Sequence, residues 1–169
     1  REFQPLDIVP VIREALAVVE GSFDPRIRIE ARVPDALWVV GDATGLSQVF
    51  MNLFTNARDA MPAGGVLRVE AGEEGDSVLI VVSDTGCGMD AETLEKCFDP
   101  FFTTKPVGQG TGLGLSTAYG IIKSHDGRIH IESRPGGGTV FHIRLPRAAA
   151  SKTAEKTKAE DYTRGRGET

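Results

Sequence analysis

The segment from Asp42 to Met61 places Leu46, Val49, Phe50, Leu53, Ala57 and Ala60 at intervals of three and four residues. That recurrence belongs to a helix with one broad apolar face. Such a face must be buried against a second layer, so this segment alone asks for a sheet or helices beside it. Asp42 can cap its start, and Pro62 with Gly64-Gly65 closes its end. The candidate partners are close by in the chain. Arg26–Val33 alternates, with Ile27, Ile29 and Ala31 on one side and Arg26, Arg28, Glu30 and Arg32 on the other. Further strands are expected at 37–40, 66–71, 77–83, 128–133 and 139–145. Helices are expected at Ile8–Glu20 behind Asp7, at 91–97, and at 113–124. Six strands in adjacent hairpins, with about three longer helices and no internal repeat, predict an α+β sandwich of one sheet covered by helices on one face.

A chain of 169 residues with 40% hydrophobic content can bury a core without disulfides or metals. Its formal charge is −5. No basic cluster is interleaved with aromatics, which argues against a nucleic-acid partner. Cys87 and Cys97 stand ten positions apart with no second pair. They suggest neither a zinc site nor a disulfide framework, and point to a reducing, cytoplasmic-type compartment. No apolar run is long enough to span a bilayer, so no direct membrane contact is expected. Beyond Pro146 the composition turns to Ala, Lys, Thr, Glu, Arg and Gly, the signature of a disordered linker. Of the charged residues, six basic and four acidic fall in 147–169, leaving 13 against 20 before it, or about −7 for the folded part. The expected division is thus a domain over 1–146 and a linker or tail over 147–169. The sequence opens on Arg1 rather than Met, as expected of a piece cut from a longer chain.

Three features carry chemistry. Asn52, Asn56 and Asp59 fall within about a 60° arc of the long helix. Oxygen donors in a row beside a buried stripe suit a hard cation such as Mg²⁺, and equally suit a polar edge facing solvent. The apolar strand 78–83 runs into Ser83-Asp84-Thr85-Gly86-Cys87-Gly88-Met89. There a carboxylate at a strand end could accept from an exocyclic amine while glycines let the backbone approach a flat ring. An ordinary strand-and-turn reads the same way. The third feature is Gly108–Ser116, GQGTGLGLS, in which Gly110, Gly112 and Gly114 uncover backbone N–H groups at a helix start, an anion seat. It has neither the P-loop spacing nor a strand leading into it.

In order, NLFTNARDAM, SDTGCGM, FDPFFTTK and GTGLGLS resemble the asparagine box, first glycine box, phenylalanine box and second glycine box of bacterial sensor histidine kinases. The resemblance covers the chain from about Phe3 to Pro146. It is closest to the nitrogen-regulator-like and hybrid kinases, whose lid begins FxPFFTTK and runs into GxGTGLGLS. It implies a mixed five-stranded sheet backed by three helices, a Bergerat-type ATP-binding fold with a mobile ATP lid. It further implies that Asn56 ligates Mg²⁺ at the phosphates, with Asn52 nearby on the phosphate side. Asp84 would bind the adenine amine, with Gly86, Gly88, Met89 and Thr139 around the ring. Gly110, Thr111, Gly112, Leu113 and Gly114 would hold the phosphates, and Lys105 would be the lid cation for the γ-phosphate. Some members carry Lys or Arg where this chain has Asp59, so charge neutralisation passes to Arg58, Lys105 or Mg²⁺.

Related ATPases of the gyrase, Hsp90 and MutL type place a Glu one helical turn before the metal-binding Asn. This chain has Asn52 there, and an amide is no general base at neutral pH. Transfer of the γ-phosphate to an external imidazole is therefore expected over hydrolysis. His125, His130 and His142 read as structural, and none is followed by the Glu and Pro of an acceptor box. The acceptor is expected on a dimerisation hairpin of the same full-length kinase, outside this chain. A response regulator or fused receiver domain would act downstream, and the isolated domain is expected to be a monomer. The parent would be cytoplasmic, with or without a membrane anchor. Phe98, Phe101 and Phe102 are expected to anchor the lid in the core or to contact the hairpin. Trp38 is expected in the core, and Cys87 is read as a spare loop thiol. The rival functions are a nucleotide-binding regulatory module without phosphotransfer and a gyrase- or Hsp90-like ATPase.

Overall fold

The computed structural model describes residues 3–99 and 114–148. In chain order the elements are β1 (Gln4–Asp7), α1 (Ile8–Glu20), β2 (Ile27–Arg32), β3 (Trp38–Gly41), α2 (Ala43–Ala60), β4 (Gly65–Glu74), β5 (Ser77–Asp84), α3 (Ala91–Lys96), α4 (Gly114–Ser124), β6 (Arg128–Ser133) and β7 (Thr139–Pro146). Five strands form one sheet in the order β2-β4-β5-β7-β6, with β2 parallel to β4 and every other neighbour antiparallel. The mixed sheet and its helical cover agree with the expected α+β sandwich.

α2 starts and stops where its sequence dictates. The Asp42 carboxylate accepts from the Gly45 N–H at 3.2 Å, and Met61 is the C-cap. Its buried face is Leu46, Val49, Phe50, Leu53, Phe54 and Ala57. Those side chains lie over Leu67 and Val69 of β4, Val78, Ile80 and Val82 of β5, and Phe141, Ile143 and Leu145 of β7, all in one core. α1 and α4 flank α2 on that face. α1 is capped by Asp7 and buries Ile8, Ile12, Leu16 and Val19. Alternation sends the other set of strand side chains to the far face, where Glu30 accepts from Arg68 at 2.8 Å and Arg28 at 2.6 Å.

β1 escaped the sequence reading. It pairs antiparallel with β3 in a separate two-stranded sheet, Gln4 opposite Gly41 and Asp7 opposite Trp38. Four residues containing a proline give no alternation to detect, and the pairing partner lies more than thirty residues away. Trp38 is also corrected: it is 38% exposed, while its neighbours Leu37 and Val39 are buried. β3 is a strand, so Val39 faces inward and Trp38 and Val40 face out. The last described residues continue this small sheet. Arg147 bridges to Val39, and the Ala148 N–H donates to the Trp38 carbonyl at 3.1 Å, so ordered pairing runs two residues past Pro146.

His125 is structural, as expected. It is buried at the end of α4, where its Nε2 accepts from the Asp42 backbone N–H at 3.0 Å. An accepting Nε2 leaves the ring proton on Nδ1, which lies 2.8 Å from the Ile121 carbonyl. The imidazole thus ties α4 to the N-terminus of α2. No helix among the described residues is long and apolar enough to cross a membrane.

Candidate functional site

Asp84 ends β5, flanked in register by Leu67 and Thr139. Among the described residues the buried polar side chains are Asp84, His125 and Thr139, so two of the three meet here. Asp84 Oδ1 accepts from the Gly86 N–H at 2.8 Å. Burial pushes the Asp84 pKa up, and backbone N–H donors at Gly86 and Thr139 oppose that rise. The result is an acceptor-only group held in a largely dry place, suited to an amine that brings its own N–H.

The loop after Asp84 is fastened on three sides. The Cys87 N–H donates to the carbonyl of Ala60 at the end of α2 at 2.9 Å, and the Cys87 carbonyl accepts from Gly136 at 2.7 Å. The Met89 N–H donates to Ser133 Oγ at 2.8 Å, and Ser133 in turn contacts Gly138 O at 2.8 Å and Thr139 Oγ1 at 2.9 Å. Gly88 has φ +68, and a Cβ there would collide with the Arg134 carbonyl. Glycine here allows the loop to lie against its own hairpin support as well as against a ligand. Ser133 and the Gly136–Gly138 turn were not assigned a part by the sequence. Their signal was the run Pro135-Gly136-Gly137-Gly138 between two strands, which reads as an ordinary turn until the register sets it beside Asp84.

On α2, Asn52, Asn56 and Asp59 share a face, and the structure separates their surroundings. Asn52 Oδ1 accepts from Gln48 Nε2 at 2.6 Å, while its Nδ2 donates to the Gly114 carbonyl at 2.9 Å. The asparagine therefore meets the final glycine of the second glycine motif. Asn56 is half-buried and makes no side-chain hydrogen bond among the described residues. Arg58 turns to the other side of the helix: its Nη1 donates to Ser22 Oγ beyond α1 at 2.9 Å, and its Nε to Asp59 at 3.1 Å. The structure does not bring Arg58 to the Asn52–Asn56 face. Two positions after Asn56 along a helix is about 200° around the axis, which accounts for it.

Lys105, Gly110, Thr111, Gly112 and Leu113 lie outside the described residues, as do Phe101 and Phe102. On the near side, Phe98 packs against Tyr119 of α4 with ring centroids 5.0 Å apart, and Lys123 Nζ lies 5.4 Å from the same tyrosine ring. Cys87 is exposed. Burial of Cys97 pushes its thiol up to about 11, so it is an inert packing group.

The sequence profile for histidine kinase-, DNA gyrase B-, and HSP90-like ATPases matches residues 41–149. The chain is 40% identical over 166 residues to sensor kinase CckA of Brucella abortus, covering 89% of this chain and 18% of that protein. It is 37% identical over 145 residues to sensor histidine kinase ZraS of Escherichia coli K12, covering 85% and 31%. Both relatives are thus more than three times as long as the part that this chain spans. Among solved structures, the nucleotide-free catalytic domain of histidine kinase ThkA superposes with a TM-score of 0.77 at 34% identity, covering 87% of this chain and 97% of that one. A mycobacterial sensor histidine kinase, MprB, gives the same TM-score at 28% identity over 86% and 97%.

Proposed function

Because the chain belongs to the histidine kinase-, DNA gyrase B- and HSP90-like ATPase family and is an ATP-binding catalytic domain of the sensor-kinase type, we propose that it transfers the γ-phosphate of ATP to a histidine on a dimerisation hairpin outside it. One observation favours transfer over hydrolysis. The position one turn before Asn56 is Asn52, and its amide is engaged at both ends by Gln48 and Gly114. No carboxylate stands there to take a proton from water, whereas an imidazole nucleophile needs positioning more than a base.

In this reading Asp84 accepts from the adenine exocyclic amine, and the fastened loop from Gly86 to Met89, with Thr139, forms the wall against which the ring lies. Asn56 fits one protein ligand of Mg²⁺: its amide oxygen makes no hydrogen bond among the described residues, and Mg²⁺ takes few protein ligands beside waters and phosphate oxygens. The cation, when bound, would neutralise charge on the phosphates. Asn52 orders the phosphate side through Gly114. Gly110, Thr111, Gly112, Leu113 and Lys105 complete the phosphate contacts, and with Arg58 engaged at Ser22 the second cation falls to Lys105.

The finer placement, in the nitrogen-regulator-like or hybrid subgroup, rests on FDPFFTTK running into GQGTGLGLS. The parent is proposed to be a cytoplasmic-facing kinase acting on a response regulator or a fused receiver domain, with the residues after Ala148 as the linker. Incubating this chain with labelled ATP and a separately made histidine-bearing hairpin tests the proposal. Acid-labile phosphate on the hairpin is the expected outcome. Nucleotide binding with no label would mean a binding module, and steady phosphate release lost in Asn52→Ala would mean an ATPase.

A further inference from the structure

On the sheet face opposite the helices, β6 and β7 set His130 directly across from His142, with ring centroids 5.9 Å apart. Glu132 is two residues beyond His130 and therefore on the same face. Its carboxylate reaches both rings: Oε1 lies 3.6 Å from His130 Nε2, and Oε2 lies 3.7 Å from His142 Nε2. These separations are too long for hydrogen bonds. They are at or just beyond the roughly 3.3–3.6 Å that separates ligands held at about 2.0–2.2 Å in a tetrahedral shell, and run to the two different carboxylate oxygens, so small side-chain movements would be needed for all three groups to reach one ion.

A second observation singles out the same place. His142 Nε2 is shielded from solvent and has no hydrogen-bond partner among the described residues. An orphaned ring nitrogen is uncommon in a folded protein and calls for a partner. None of these three side chains takes part in the nucleotide site. We propose that His130, His142 and Glu132 bind a divalent transition-metal ion of the Zn²⁺ class. Two imidazoles and one carboxylate are borderline donors that suit Zn²⁺, Co²⁺, Ni²⁺ or Cu²⁺, and not the all-oxygen shells of Mg²⁺ or Ca²⁺. As the side chains stand, no group of three or more His, Cys, Asp or Glu among the described residues is arranged to hold a metal ion, so the ligand shell is not preformed. Closing this one requires only side-chain rotation at His130 and Glu132, whose side chains are 65% and 66% exposed. The ion would clip the edge strand β6 to β7, with water or an external group in the fourth position.

The test is calorimetric titration of the nucleotide-free chain with Zn²⁺ in a Cys87→Ser background, which removes the exposed thiol as a competing ligand. Histidine-ring NMR is followed in parallel. The expected result is one ion per chain, with the His130 and His142 ring signals moving and those of His125 unmoved. His130→Ala, at a site too exposed to disturb folding, should weaken binding by at least about tenfold with unchanged melting temperature, and His142→Ala should weaken binding by a similar factor. Absence of binding, or affinity that survives His130→Ala, or signals that move at His125 instead, would overturn the proposal.

Discussion

At the scale of the residue, Asp84 carries the most specific chemistry, and its burial predicts two opposite effects of one change. Asp84→Asn removes a buried charge, so the melting temperature should stay the same or rise, while the new amide donors face the nucleotide amine and binding should fall by about a hundredfold. Differential scanning fluorimetry and a binding titration on the same sample would show both. The pH dependence follows from the direction of the shift. The folded-state pKa of Asp84 is raised, so the folded chain holds that proton more tightly than the unfolded one. This carboxyl's contribution to stability therefore diminishes as pH rises through the window between the ordinary carboxylate value and the raised one. Nucleotide affinity runs the other way and should weaken as pH falls into that window, beginning above the range of an ordinary aspartate. A pH titration of affinity that shows no such loss in the parent, or the same loss in Asp84→Asn, would assign the acceptor elsewhere. Asp84 was singled out in the sequence at the end of an apolar strand, where an ordinary strand-and-turn reads the same way; its burial is what the structure adds. Arg58 was not: its distance from the Asn52–Asn56 face follows from helix geometry, but its capture by Ser22 depends on where α1 ends.

At the scale of the element, the helices announced themselves and the supports of the loop did not. α2 was readable because stripe, cap and stop signal all agree, and Phe54 joined the buried face only because its neighbours pack that closely. β1 was hidden because strand pairing at long range leaves no local mark in four residues. The hairpin between β6 and β7 looked like a plain turn, yet its Ser133 hydroxyl and Gly136 amide hold the loop that follows Asp84, and its Arg134 carbonyl lies close against Gly88. Two predictions belong here. Gly88→Ala should destabilise the loop by about 1–3 kcal/mol, because it adds a Cβ at positive φ against a carbonyl. Chemical denaturation would record the loss, and nucleotide affinity should drop with it. His125→Ala strands the Asp42 N–H and opens a gap between α2 and α4, for a cost of about 2–4 kcal/mol in the same assay. A variant as stable as the parent would show that the α2–α4 junction does not depend on that imidazole.

For the whole molecule, the arrangement explains why separate motifs make one site. The helices cover one face of the sheet, so the end of β5, the end of α2, the start of α4 and the β6–β7 turn are fixed relative to one another by a single core. The loop after Asp84 touches α2 through Ala60, and Asn52 touches α4 through Gly114. In the proposed site, adenine recognition and phosphate binding would thereby be referred to the same helix. Composition had placed the fold's end at Pro146, and backbone pairing of Arg147 and Ala148 with β3 extends it slightly. A chain ending at 148 should keep the parent's melting temperature and nucleotide affinity. One ending at 144 loses the Leu145 core contact and should be several degrees less stable.

The proposed nucleotide site has Asp84 at the adenine end and Asn56 at the metal end. Calorimetric titration of a non-hydrolysable ATP analogue, with and without Mg²⁺, on the parent, Asp84→Asn and Asn56→Ala tests it most directly. Mg²⁺-enhanced binding to the parent, loss of binding in Asp84→Asn, and binding that no longer responds to Mg²⁺ in Asn56→Ala are expected. Undiminished binding to Asp84→Asn, or full Mg²⁺ dependence in Asn56→Ala, would contradict it.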